Sequence, residues 1–368
     1  MCISDQKGYG LLMKKSELEG YLLQALNMAL QINGETSYTN SFDVRVGDEG
    51  IFFIPRLPAS YVVDDELYQK IYLISNAVLY PDYTLLKQTG SYFVPLDTDD
   101  IHVKRALFFP WKRGISKRLI IPDIDQFVAD LPMNKIPVME NFTINLDKVT
   151  SFAIAGNSGS GKSYALTYFL CVLKKSSRLV IVDPKFDMPS RWGRENNVRV
   201  IAPSDNRNKN DFVSSVNAEL SQCLELIHQR QQVLYNNPQA DFEHYTLVID
   251  EVLALSDGTA KPIKEAFFSL LSQISLLGRA TKVHLLLVSQ RFDSNAIPIS
   301  CREQLNVLIQ VGNINSKTTQ FLFPDLSLEG IVIPQGIGTG LIQVIDSEHP
   351  FQIVPLLTPT FNDLKGIM

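Results

Sequence analysis

Long apolar runs are the first thing missing: no stretch approaches the ~18 uninterrupted apolar residues that a bilayer-crossing helix needs. The N-terminus, whose Lys14-Lys15 pair falls inside a helical pattern, also lacks the apolar core and cleavage site of a signal peptide. A cytoplasmic protein is expected, reaching a membrane only by recruitment through a partner. Cysteine is sparse too. Cys2, Cys171, Cys223 and Cys301 stand far apart, which offers neither a metal-ligand spacing nor a disulfide framework. There is no internal repeat, no low-complexity tract and no dominant charge, since 34 Lys and Arg against 39 Asp and Glu leave a formal net charge of −5. So mild a balance argues against a nucleic-acid coat protein, but not against a protein whose polymer contacts are confined to a few residues. What is abundant is ordinary core material. With 45% hydrophobic residues among 368, the chain can fill two domains of the usual ~100–200 residues.

The first of these, residues 1–136, reads as a small α+β unit. Ser16 and Glu19 suggest a capping box, and Leu18, Leu22, Ala25, Leu26, Ala29 and Ile32 recur at helical spacing until Gly34. Phe42, Val44 and Val46 then alternate with polar residues, and a turn at 47–50 returns the chain through Ile51 to Ile54 as a hairpin. A second helix carries Leu67, Ile71, Ile74 and Val78 behind Asp64 or Asp65, and short strands are expected around Leu85 and Phe93, about Thr89 and Gly90. Between 104 and 118, Lys104, Arg105, Lys112, Arg113, Lys117 and Arg118 interleave with Phe108, Phe109 and Trp111. Two readings stand: a contact surface for a nucleic-acid backbone, or a solvated hairpin whose rings face the core. Proline punctuation between Pro122 and Pro137 places the domain boundary near 136.

From 137 to 368 strands and helices alternate, the mark of a mostly parallel α/β sheet covered by helices. The apolar run at 152–155 leads into Gly156, Asn157, Ser158, Gly159, Ser160, Gly161, Lys162 and Ser163. Glycines let successive backbone N–H groups wrap around phosphate oxygens, and the helix that follows adds the partial positive charge of its N-terminus. Lys162 is placed to reach the β- and γ-phosphates and Ser163 to hold Mg²⁺, so the pattern points to a bound nucleoside triphosphate, ATP, with its metal. Downstream, the apolar strand Tyr245 to Ile249 ends in Asp250 and Glu251. Asp250 suits the metal and Glu251 the activation of the attacking water. Another apolar strand, His284 to Ser289, ends in Gln290, whose neutral amide can report on the γ-phosphate. Arg279, on the turn before that strand, is a candidate arginine finger for a neighbouring subunit, with Arg291 and Arg302 as rivals.

Taken together these residues resemble the FtsK/SpoIIIE/HerA group of DNA-pumping ATPases, especially the short FtsK-like proteins of conjugative elements. The P-loop, the strand end Asp183-Pro184-Lys185, the helix around Arg230, the run from Leu276 to Pro298 and the segment from Phe323 to Ile342 carry the likeness, over roughly residues 138 to 355. Lys317 stands where the group often has Arg. The resemblance implies a RecA-like P-loop NTPase core, a homo-hexameric ring with active sites between subunits, and double-stranded DNA threaded through the middle. It also implies an ATPase coupled to DNA translocation, with a relaxase or a secretion channel as a possible partner of the N-terminal accessory domain. The chain shows no membrane helices upstream and no winged-helix domain after the motor, so sequence-directed pumping at a division septum is not expected. The alternative is a P-loop ATPase that serves protein secretion or partner docking and does not act on DNA.

Overall fold

The computed structural model describes residues 14–30, 41–59, 62–88, 90, 93–203, 208–347, 349 and 353–362. They form two compact units, 1–115 and 116–368. In the first, α1 (Lys15–Leu30) precedes the hairpin of β1 (Phe42–Val46) and β2 (Gly50–Pro55), followed by α2 (Asp65–Leu79), β3 (Tyr83–Leu85), β4 (Phe93–Pro95) and β5 (Arg105–Arg113). Asp64 caps α2 by accepting from Leu67 N. The capping box expected at Ser16 is not what starts α1: the helix begins at Lys15, and Glu19 instead accepts from the Val46 backbone at 2.8 Å. Ile32, Gly34, Cys2 and Thr89 lie outside the described residues.

The basic and aromatic stretch becomes β5, the strand with which β2, β3 and β4 all pair. Its alternation turns Phe109 and Trp111 inward, while the half-buried Phe108 packs on Phe52 at 4.8 Å. Phe109 stacks on Tyr68 at 4.4 Å and Trp111 on Tyr83 at 4.2 Å, while Leu18, Leu22, Leu26 and Ile71 close the same core. Rings buried in this way supply packing and are not open to stack on bases.

The second unit begins earlier than the proline pattern suggests. β6 (Ile120–Ile121) pairs in parallel with β17 (Thr360–Phe361), α3 (Ile124–Asp130) packs on α4 (Lys162–Ser176), and Arg118 donates to Thr358 O at 2.8 Å. Residues 116–136 therefore fold with the P-loop unit, because their backbone pairs there. β7 (Lys135–Met139) and β8 (Phe142–Asn145) form a small hairpin.

The remaining strands are β9 (Ser151–Gly156), β10 (Ser177–Val182), β11 (Arg199–Ile201), β12 (His244–Ile249), β13 (Val283–Ser289), β14 (Val307–Val311), β15 (Thr339–Val344) and β16 (Ile353–Leu357). They make one eight-stranded sheet in the order β11-β10-β12-β13-β9-β14-β15-β16. It is parallel from β11 to β14, and β15 and β16 add antiparallel. Strands this apolar on both faces need helices on both sides. The helices of this unit besides α3 and α4 are α5 (Met188–Glu195), α6 (Lys209–Asn236), α7 (Val252–Ser256), α8 (Lys261–Leu277), α9 (Ile299–Arg302) and α10 (Ser316–Thr319). α6 and α8 pack together, burying Val216, Leu220, Phe267 and Leu271 against β12 and β13.

Candidate functional site

The first functional segment forms where β9 runs out. A side chain at Gly156 has no room, since an added Cβ would sit 2.6 Å from Ser160 Oγ and 2.7 Å from Val311 Cγ2. At Gly161 the backbone adopts φ 95° and caps α4, a left-handed conformation that glycine takes without strain. The loop is held from outside as well. Gly338 N donates to Ser160 O at 2.9 Å, and Arg118 Nη2 donates to Ile337 O at 3.0 Å. The first turn of α4 then brings Lys162 and Ser163 to a cavity of about 420 Å³. That size suits a nucleotide.

Parallel register assembles the rest. Val182 lies opposite Ile249, Ile249 opposite Leu287, and Ser289 opposite Ala155. The segments after β10, β12 and β13 therefore emerge beside the P-loop, at the carboxyl ends where α/β sheets place ligands. The cavity is lined by Asn157, Ser158, Gly159, Gly161, Lys162 and Ser163, and by Lys185, Glu251 and Gln290 beyond the loop.

Glu251 is the most constrained of these side chains. It is 4% exposed and takes φ 46°, ψ 60°, a left-handed conformation that costs a non-glycine residue about 1–2 kcal/mol. Its Oε2 faces Lys185 Nζ at 2.6 Å and Lys162 Nζ at 3.5 Å, and its Oε1 accepts from Gln290 N at 3.3 Å. Burial opposes ionisation, but Lys185 and Lys162 outweigh it and hold the carboxyl below the usual range. Asp250 behaves oppositely. Burial, helped by Asp183 and Glu251 and only partly offset by Lys162 and Lys185, pushes it up to about 6.

A dication beside Asp250 would relieve that destabilised charge, which is the property expected of a Mg²⁺ position. Among the described residues no cluster of three or more His, Cys, Asp or Glu side chains could hold a metal unaided. The metal would therefore share phosphate oxygens with Ser163 and Asp250, as Mg²⁺ commonly does. Ser160 Oγ, buried and without a protein partner, packs beside Gly156 and does not line the cavity.

The candidate cations separate cleanly. Arg279 is exposed on the turn before β13, and β13's seven residues, at ~3.3 Å each, put it roughly 20 Å from the P-loop end of the sheet. It cannot serve its own chain's site. Arg302 Nη1 donates to Phe292 O at 3.4 Å, and Arg291 pairs with Asp293 at 2.8 Å. Arg291 also lines, with Lys317, Asn157 and Gln290, a second cavity of about 460 Å³. Arg230 is structural: it donates to Thr281 O at 2.7 Å and lies over the Phe242 ring. Sequence reasoning leaves four lining residues out of the site: Tyr164, Lys185, Asp187 and Ile337. Lys185 is legible in sequence only as part of a strand-end pattern, and Ile337 lines the cavity from a segment with no motif of its own.

No family model matches the chain. Among curated proteins it is similar to the FtsK domain-containing protein YdcQ of Bacillus subtilis (strain 168), 22% identical over 208 residues that make up 55% of this chain and 42% of the relative. The chain thus spans less than half the length of that relative. The solved structure of the pCW3 conjugation coupling protein TcpA, in monomer form with ATPγS, aligns at TM-score 0.52 and 18% identity, over 95% of this chain and 97% of that one. EssC (ATPases 2 and 3) from Geobacillus thermodenitrificans aligns at TM-score 0.49 and 14% identity, over 69% of this chain and 49% of the other. The chain is similar to FtsK-type ATPases and has a P-loop ATPase fold of their kind.

Proposed function

From this FtsK-type fold we propose that the chain hydrolyses Mg²⁺·ATP and uses the energy to move double-stranded DNA, as a coupling-type motor for conjugative transfer. The observation that carries the hydrolytic part is the single cavity in which the P-loop, Glu251 and Gln290 meet. Gly156 to Ser163 hold the triphosphate, with Lys162 on the β- and γ-oxygens. Ser163 and Asp250 would hold Mg²⁺, which would supply charge neutralisation at the phosphates. Glu251 orients and deprotonates water, and Gln290, anchored to it through the backbone, senses the γ-phosphate. Arg279 serves a neighbouring subunit, as its distance from its own site favours, and this implies a ring, proposed as a homo-hexamer. The DNA part draws on the relatives: one carries an FtsK domain and another is a conjugation coupling protein. The N-terminal unit is the proposed dock for a relaxase or a secretion channel.

The test is ATP turnover with and without duplex DNA at two salt concentrations. We expect stimulation by DNA that weakens as salt rises, because phosphate contacts release counterions. Glu251→Gln is expected to keep nucleotide binding and lose about 10²–10⁴ in turnover, the scale of a general base. Turnover that persists in both Lys162→Ala and Glu251→Gln overturns the mechanism. Turnover indifferent to DNA overturns the translocase reading and favours a secretion or docking ATPase.

A further inference from the structure

The candidate base is not poised to work. Both oxygens of Glu251 are engaged, Oε1 by Gln290 N at 3.3 Å and Oε2 by Lys162 at 3.5 Å and Lys185 at 2.6 Å. A carboxylate in a close ion pair is a poor acceptor for a water proton. ATP has an obvious means of removing one cation, because Lys162 is the P-loop lysine and turns to the phosphates when they arrive. It leaves the shorter contact, to Lys185.

That contact is built in. Asp183, fully buried, accepts from Lys185 N at 2.9 Å, Asp187 N at 2.8 Å and Ser190 Oγ at 2.6 Å. These bonds lock the turn that delivers Lys185. The two partners differ in freedom, however. The Lys185 side chain is 48% exposed and the Glu251 side chain 6%, so the pair opens by Lys185 swinging into water while Glu251 stays in place. Beside Lys185 on the same turn, Phe186 sits 70% exposed at φ 54°, an apolar side chain on strained backbone where an incoming contact can act on the turn.

We propose that Lys185 is a positioning residue that restrains Glu251, so that ATP binding releases one cation from the base and a separate release of Lys185 licenses hydrolysis. The inference rests on Glu251 being the base. It adds a resting state in which ATP is bound and turnover is held back.

The experiment is steady-state ATP hydrolysis by the full chain without any stimulating partner, for wild type, Lys185→Ala, Lys185→Met, Lys185→Arg and Glu251→Gln, with nucleotide affinity measured in parallel. Removing the cation is expected to raise kcat by about two- to fivefold, the scale of an ion pair with one half-exposed partner, and to leave KM within about twofold. Lys185→Arg is expected to return kcat toward the wild-type value, which a loss of packing would not explain. Lys185→Met keeps the apolar stem, so a drop in Lys185→Ala alone reports lost packing and the Met variant decides. A fall in kcat, a large rise in KM or no change in Lys185→Met overturns the restraint, the KM rise showing that the cation serves the triphosphate instead. Full activity in Glu251→Gln overturns the base assignment and the restraint with it. A lowered Lys185→Met beside an inactive Glu251→Gln overturns the restraint alone.

Discussion

Gly161 shows how a single residue's demands can be separated. Its φ of 95° already disfavours a side chain, and an added Cβ would sit 2.9 Å from Gly338 N. At Gly159 the φ of 77° disfavours one too, but nothing lies within 4 Å. Gly159→Ala is therefore expected to cost about 1 kcal/mol, the backbone term alone. Gly161→Ala adds a backbone clash, for a total of about 2–4 kcal/mol, and displaces the loop that holds phosphate. Urea unfolding reads the first difference and titration with a fluorescent ATP analogue the second; equal losses in both variants would refute the packing argument. The glycines themselves were legible from the sequence because their task is local. Lys185 was not, since its value depends on Glu251, a residue that only the pairing of β10 with β12 brings within 2.6 Å.

Elements contribute through their buried faces. Phe169 on α4 is 2% exposed and meets Phe152 of β9 edge-on with centroids 6.0 Å apart. Truncating Phe169 to Ala is expected to cost about 3–5 kcal/mol, read as a lower urea midpoint with an unchanged slope. At the other end of the sheet, β12 and β13 are joined by His244 Nδ1 and His284 Nε2 at 2.7 Å, and His284 Nδ1 faces Thr150 O at 3.1 Å. The carbonyl can only accept, so His284 carries a proton on Nδ1. Burial, reinforced by His244, pushes His284 down to about 3. In the unfolded chain the same ring protonates near ~6.5. Below that pH the unfolded state binds the extra proton, so this contribution to stability is complete above ~6.5 and is lost as pH falls toward 3, at up to about 1.4 kcal/mol per pH unit. Thermal denaturation between pH 7 and 5 should show the decline, and His284→Asn should flatten it. The alternation of strand and helix was readable here because periodicity is a local property. The capping box at Ser16 misled for the complementary reason: Glu19 found a better partner in the Val46 backbone, on a strand outside its own helix.

For the whole molecule, the division into units makes a direct prediction. A chain of residues 116–368 keeps the pairing of β6 with β17 and the Arg118 bonds to Thr358 O and Ile337 O, and is expected to fold and bind nucleotide alone. A chain cut to 137–368 loses both, together with α3, and is expected to melt several degrees lower, since each ~1 kcal/mol shifts Tm by about 2–4 °C at this size. Equal melting temperatures would show that residues 116–136 add nothing. Assembly can be tested through Arg279. Mixing Arg279→Ala with Lys162→Ala subunits is expected to give more turnover than the mean of either alone, because some intact P-loops then face an intact arginine. A mixture that only averages the two would remove Arg279 from the finger role.

By itself, the sequence determined what depends on neighbours along the chain: the P-loop, the Asp-Glu and Gln strand ends, the parallel α/β architecture, and the likeness to FtsK-type ATPases. Each is written in contiguous residues whose spacing dictates backbone geometry directly. Tertiary structure decided what depends on register between distant strands. It gave residues 116–136 to the P-loop unit, put Phe109 and Trp111 into a core, put Arg279 beyond reach of its own site and set Lys185 against Glu251. No local pattern encodes those outcomes, because each arises from which strand lies beside which, and the whole sheet settles that.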